Sequence, residues 1–290
     1  MNAPAQQAMQ SPWRRAGDRF LRDRWGVAGL VVVGVYLLVT LGVWGGLWGQ
    51  HWRETSGPYY ADPSTSHWLG TNAVGQDIAQ RAIYSTQTAF EIGVVVALLA
   101  TVLGGVFGAA SGYFCKRWPD EIVLWIAGVL DAMPFYLFVA ALAYALRDSP
   151  YAMHIAMVAT FWTTTARIVR AEVIKLMQLD FITAARAAGI RPWALILRHL
   201  LPNTTPILLV QGTLTFVAAI KSEVILSFLG LGVKNTVSWG VMIAESTDEV
   251  LAGHFANLTS ASLLLLVLVM AFNLLSDAVQ DAMDPRSSGL

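Results

Sequence analysis

Apolar runs without charge recur along the chain, separated by short clusters of basic and acidic residues. No charged residue occurs over 25–52, over 92–115, over 149–166, over 200–220 or over 250–276, and 122–146 carries one charge, Asp131. A helix of about 20 apolar residues crosses a bilayer core. The pattern therefore predicts six membrane spans, the last centred on 261–275. In lipid each must be helical, because an open strand would leave backbone groups unpaired. Pro134 predicts a kink in the third span, and Pro202 and Pro206 fit the start of the fifth. Gly104, Gly108 and Gly112 repeat at four-residue spacing in the second span, which predicts close helix packing.

Composition narrows the class. Of 290 residues, 56% are hydrophobic and 13% charged, against about 25% charged in soluble domains. A disordered chain and a basic nucleic-acid binder are both excluded. One cysteine, Cys115, rules out an internal disulfide framework and reads as a small apolar residue. The first apolar run follows a basic cluster and exceeds the core of a secretory signal, so it reads as a retained anchor.

The formal net charge is zero, but the bases are not evenly placed. Arg14, Arg15, Arg19, Arg22, Arg24, Lys116, Arg117, Arg167, Arg170, Lys175, Arg186, Arg191, Arg198 and Arg286 fall on one side if six spans alternate. Arg53, Arg81, Arg147, Lys221 and Lys234 fall on the other. Bases concentrate on the cytoplasmic side, so both termini are predicted to be cytoplasmic.

The link between the fourth and fifth spans holds the most specific signal. Its Ala-rich stretch over 180–188 predicts a short helix, Gly189 a left-handed stop, and Arg191-Pro192 the start of the next helix. Such an element protrudes and can fill a partner's groove. Thr183, Ala184, Ala185, Arg186 and Gly189, followed by Arg198, His199, Leu201 and Pro202, resemble the EAA loop of ABC-importer permease subunits. Thr183 stands where that pattern has Glu. The stretch His67-Trp-Leu-Gly-Thr-Asn72 with Gly75-Gln-Asp77 resembles the H-x-L-G-T-D-x-x-G-R-D stretch of C-type subunits of dipeptide, oligopeptide and nickel permeases, with Asn72 and Gln76 replacing Asp and Arg. Ser227 to Gly232, Ser238 to Gly240, Asn273 to Asp277 and Asp281 to Arg286 match the same group. Two places depart from it. Trp125 and Gly128 stand where a Met-Arg pair is usual, with Asp131 one turn on, and Ala252-Gly-His-Phe-Ala replaces a Trp-Trp and Pro-Gly loop.

The resemblance implies an all-α integral membrane protein with the type I importer permease fold. A tail (1–25), a first transmembrane helix (26–50) and an extracytoplasmic segment (51–85) precede a permease core (86–283), whose coupling loop lies at about 167–203; 284–290 is a tail. It implies a B-type sister permease, two ATPase subunits that bind the ATP and Mg, and an extracytoplasmic solute-binding protein docking on 67–81 and 234–254. This agrees with the sequence itself, where none of the four lysines follows a glycine, so no Walker-type phosphate loop exists. Along the translocation pathway the reading places Asp131, Pro134, Lys221 and Glu223. Asp131 reads either as a contact for a peptide amine or as a helix-packing group. Lys221 and Glu223 read as interfacial or mutually paired, Thr163, Thr164 and Thr165 as packing hydroxyls, His199 as an anchor for the coupling helix, and the Trp residues mostly as interfacial anchors. A secondary transporter or channel working without ATP, and an intramembrane enzyme, are the competing classes. The first lacks visible inverted repeats, and the second lacks a nucleophile or metal set.

Overall fold

A computed structural model describes residues 12–283. The Asp284, Pro285 and Arg286 end of the C-terminal motif lies outside the described residues, as do residues 1–11 of the N-terminal tail. Among the described residues there are ten helices and no strand. They are α1 (Pro12–Phe20), α2 (Arg24–Trp44), α3 (Ile78–Tyr113), α4 (Trp118–Asp131), α5 (Phe135–Ala145), α6 (Ala152–Leu176), α7 (Asp180–Ala187), α8 (Pro192–Phe228), α9 (Trp239–Leu251) and α10 (Ala256–Met283). By length and composition, α2, α3, α8 and α10 can each cross a membrane. The pair α4 and α5 meets the same test but is bent by 95°. Helix α6 is long enough, but its second half carries Arg167, Arg170, Glu172 and Lys175.

Helix α3 is the central element and packs on α6, α8 and α2. The Gly104, Gly108, Gly112 row sets its distance to α6. A Cβ at Gly108 would lie 2.5 Å from the Ala166 carbonyl oxygen, and one at Gly112 would lie 2.8 Å from Val173 Cβ. The helix begins at Ile78, well before the apolar run at 92, inside the segment read as extracytoplasmic. Asp77 caps it by accepting from Gln80 N at 2.9 Å. Its first turns carry Arg81, Ser85, Thr86 and Thr88, all buried in protein, so their polarity does not mark the end of a span.

The main core joins α2, α3, α8, α9 and α10 through Phe90, Phe216, Trp239 and Phe272. Phe216 stacks on Phe272 at 3.9 Å between centroids, and Phe90 meets Phe216 edge-on. Trp239 departs from the interfacial reading. It is buried, and its Nε1–H donates to the Ala82 carbonyl at 3.1 Å.

The kink expected at Pro134 is a complete break. Pro134 has no N–H for the helix ladder, and Met133 before it is disfavoured in helix. Its backbone is extended at φ −58° and ψ 119°, and α5 restarts beyond it. The segment 234–254, read as an outer loop, is also not all loop, since α9 occupies most of it.

Candidate functional site

The link after α6 folds as a helical hairpin. Gly189 has φ +78°, the left-handed region that glycine enters without cost. Gly189 N donates to Arg186 O at 3.0 Å and Ile190 N to Ala185 O at 3.3 Å. This pair of bonds is the Schellman end of α7, and Ile190 and Ala185 pack in one apolar cluster beside it. Pro192 then opens α8.

One face of the hairpin is fixed to the body. Ile182, Leu195, Ile196 and Leu200 are fully buried against Ala109, Val169 and Val173. The other face is open: Thr183, Ala184, Arg186, Gly189, Arg198 and Pro202 are exposed, while Ala185 and His199 are half-buried. Phe181, Trp193 and Leu197 also lie exposed here, with about half of each surface open. Sequence reasoning missed these three. For Phe181 and Leu197 the signal was available, because each sits directly beside an apolar position that packs inward, Ile182 or Ile196, and so must leave the packed face.

Arg198 and His199 lie on a π-helical turn, Ile196–Leu200. Leu201 N donates five residues back, to Ile196 O. The wider turn precedes Pro202, which cannot donate to Arg198 O, and Asn203 Nδ2 reaches the His199 carbonyl at 2.6 Å.

A buried charge cluster ties α4 to the helix that feeds this hairpin. Asp120, 2% exposed, accepts from Arg170 Nε at 2.7 Å and Nη2 at 2.9 Å, from Ser111 Oγ at 2.5 Å and from Lys116 N at 2.8 Å. Arg170 also approaches Cys115 Sγ at 3.7 Å, so Cys115 is more than an apolar filler. At the other end of α4, Asp131 accepts from Thr163 Oγ1 at 2.9 Å and pairs with Arg167 Nη2 at 2.6 Å. Asp131 and the break before α5 line a cavity of about 290 Å³ with Phe135, Thr160, Phe161, Thr163 and Thr164. Pro134 caps α5 at this break.

Lys221 and Glu223 are not paired with each other, which removes one of the two alternatives, interfacial or mutually paired, read from the sequence. Residues two apart on a helix point in different directions. Lys221 faces outward. Glu223 faces inward, 2% exposed, and its Oε1 accepts from Ser227 Oγ at 2.5 Å and Ser238 Oγ at 2.6 Å. Ser238 in turn caps α9 by accepting from Val241 N. Glu223 thus joins the end of α8 to the start of α9, while Asp131 has its partners on α6.

The two segments read as an outer docking surface pack on each other. Arg81 pairs with Glu245 Oε2 at 2.5 Å and also donates to Gln76 Oε1. Ala73 N donates to Glu249 Oε1 at 2.9 Å, and the Tyr60 ring stacks on His254 at 4.0 Å. Asn72 Nδ2 donates to Gln76 Oε1 at 3.1 Å, so the two departures from the Asp and Arg pattern form a matched amide pair. His67 Nδ1 lies 2.8 Å from Asp77 Oδ2. Next to this block, Arg147, Ser227, Lys234 and Glu245 line a cavity of about 570 Å³.

The family model described as a binding-protein-dependent transport system inner membrane component matches residues 101–289. The dipeptide transport system permease protein DppC of Bacillus subtilis is 32% identical over 286 residues, covering 98% of this chain and 87% of that protein. The oligopeptide transport system permease protein OppC of Mycobacterium tuberculosis is 38% identical over 231 residues, 79% of each. The glutathione transport system permease protein GsiD of Pectobacterium atrosepticum is 33% identical over 289 residues, 96% of this chain and 93% of that protein.

Proposed function

The chain belongs to the binding-protein-dependent transport inner membrane components and is an inner-membrane permease subunit of an ABC importer, of the C type; from that premise we propose how it works and what it carries. Its substrate is a peptide or a similar small solute. The transport activities of the relatives, for dipeptide, oligopeptide and glutathione, support that class. It forms half of a translocation pathway, with a B-type sister permease supplying the other half. Helix α6 serves as a sixth span beside α2, α3, the broken α4–α5, α8 and α10. Both termini face the cytoplasm, in keeping with the distribution of bases.

Two ATPase subunits carry the ATP and Mg, and an extracytoplasmic binding protein docks on the 67–81 and 234–254 block. The observation that carries this reading is the hairpin of α7 and the start of α8. It is anchored on one face by Ile182 and Leu195, and it offers Thr183, Ala184, Arg186 and Arg198 on the other. ATPase closure pushes on that open face, alongside Ala185, Gly189, His199 and Pro202. The push passes into α6 and α8 and rocks the spans between inward-open and outward-open states. Asp131, Pro134, Lys221 and Glu223 are assigned to the pathway or its walls.

The test is affinity purification of the tagged chain from its own membranes, followed by labelled-dipeptide uptake in proteoliposomes. ATPase subunits should copurify, and uptake should require ATP inside the cytoplasmic face. Uptake by the chain without ATPase partners would overturn the reading in favour of a secondary transporter.

A further inference from the structure

At the start of the chain, α1 lies against the last turns of α10 beside the first turns of α2. It is strongly amphipathic: Ala16 is buried and Phe20 half-buried, while Arg14 and Asp18 point outward. Between the three helices runs an open groove of about 480 Å³. Its walls are Phe20, Leu21, Leu30, Leu275, Val279 and Met283, with almost no polar surface. Arg22, in the turn after α1, and Arg24, the first residue of α2, are both exposed and lie within three residues of the wall residue Leu21. Asp23 between them is engaged, accepting from Trp25 N at 3.0 Å. Leu21 and Trp25 stand open beside them, 69% and 72% exposed.

These features fit one chemistry. A short amphipathic helix with an arginine-rich polar side lies in the plane of a membrane surface. Basic residues next to a span attract anionic headgroups, each by about fivefold in affinity. Apolar side chains and a Trp at the same level belong at the headgroup boundary. The groove continues from that level along Leu30, Leu275 and Val279, into the depth where acyl chains lie. The acids nearby, Asp277 and Asp281, are exposed on α10 rather than lining the groove.

We propose that this groove binds an anionic phospholipid of the cytoplasmic leaflet, with an acyl chain between α1, α2 and α10 and its phosphate on Arg22 and Arg24. The inference rests on the inward-facing N-terminus proposed above. Through it, the lipid fastens α1 to the first and last spans.

The experiment is native mass spectrometry of the assembled complex, released from nanodiscs holding equal phosphatidylglycerol and phosphatidylcholine. Wild type should retain phosphatidylglycerol over phosphatidylcholine by about tenfold or more. Arg22→Gln with Arg24→Gln should bring the two near parity. Val279→Trp, which fills the groove and leaves the charges in place, should remove the retained lipid; Leu30→Trp does the same from α2 if the first variant fails to assemble. Equal retention by wild type, no retained lipid because protein fills the groove, or a preference that survives both kinds of variant would each overturn the proposal. Topology is read separately, by labelling Asp18→Cys in a Cys115→Ala background with an impermeant maleimide. Labelling in intact spheroplasts sinks the orientation; labelling only in inverted vesicles, without lipid preference, sinks the lipid site alone.

Discussion

Arg170 grips Asp120 at two points, Nε on one carboxylate oxygen and Nη2 on the other, across fifty residues of chain. The carboxylate is almost fully buried, and about a quarter of the Arg170 side chain stays in solvent. Because Arg170 sits on α6, six residues before its end, the grip links the bent α4–α5 pair to the hairpin. Removing one partner strands a charge in the protein. Asp120→Ala should therefore destabilise by about 3 kcal/mol, the low end of what breaking a buried pair costs, since Arg170 can turn toward water. Arg170→Ala should cost at least as much. The double variant should cost less than the sum of the two. Thermal unfolding of the four proteins in one lipid mixture checks this, and additivity would show that the pair carries no coupling.

That pair was not legible in the sequence. Asp120 and Arg170 read as ordinary members of two cytoplasmic links, and nothing local shows that the links meet. The start of α3 was hidden for a related reason. Hydropathy treats Arg81, Ser85 and Thr88 as polar and therefore outside a span, but they face protein rather than lipid. Gly189 and Pro192 were legible because their own backbone chemistry dictates the conformation. Pro134 lies between these cases. Its missing N–H predicts a break in the ladder, but the 95° turn also depends on what α4 and α5 pack against.

The glycine row on α3 gives a contrast between two equivalent-looking changes. At Gly108 a methyl group meets the Ala166 carbonyl oxygen and Cα of α6, which cannot step aside without moving the helix. Gly108→Ala should cost about 2 kcal/mol or more. At Gly34 in α2 nothing lies within 4 Å of the added Cβ, so Gly34→Ala should gain up to about 1 kcal/mol from helix propensity. Melting curves of the two variants should move in opposite directions.

Glu223 tests whether the α8–α9 joint needs an acceptor there. Both hydroxyls, Ser227 and Ser238, point at the same oxygen. Gln supplies an equivalent oxygen at that position, and Ala supplies none. Glu223→Gln should keep most of the stability. Glu223→Ala should lose about 1–3 kcal/mol by leaving buried hydroxyls without an acceptor. Equal melting of the two variants would remove the joint from the account.

Gly189 separates folding from coupling. Its surroundings are empty, so a side chain there costs only the strain of a positive φ. Asn tolerates that region far better than a β-branched residue. Gly189→Val should leave membrane insertion intact and lower dipeptide-stimulated ATP hydrolysis by the complex, and Gly189→Asn should fall between Val and wild type. Full stimulation in Gly189→Val would detach the hairpin turn from coupling.

Asp131 and Arg167 are each nearly half exposed, so their ion pair contributes little to stability, at most about 1 kcal/mol. Under the proposed pathway role, a large effect of changing them comes through transport rather than stability. Asp131→Asn keeps an oxygen for Thr163 and removes the charge facing the cavity at the α4–α5 break. Its melting point should stay close to wild type while uptake falls severalfold. Exchanging the two residues, Asp131→Arg with Arg167→Asp, restores an ion pair across the same helices but reverses the charge presented to the cavity. If the pair only fastens α4 to α6, the exchange should recover uptake. If Asp131 meets the substrate, uptake should stay low although the pair is rebuilt. Dipeptides acetylated at the N-terminus sharpen the comparison, because they lack the amine that a carboxylate would attract. Their transport should be poor in wild type and nearly indifferent to Asp131→Asn. Equal sensitivity of free and acetylated dipeptides would assign Asp131 to helix packing instead.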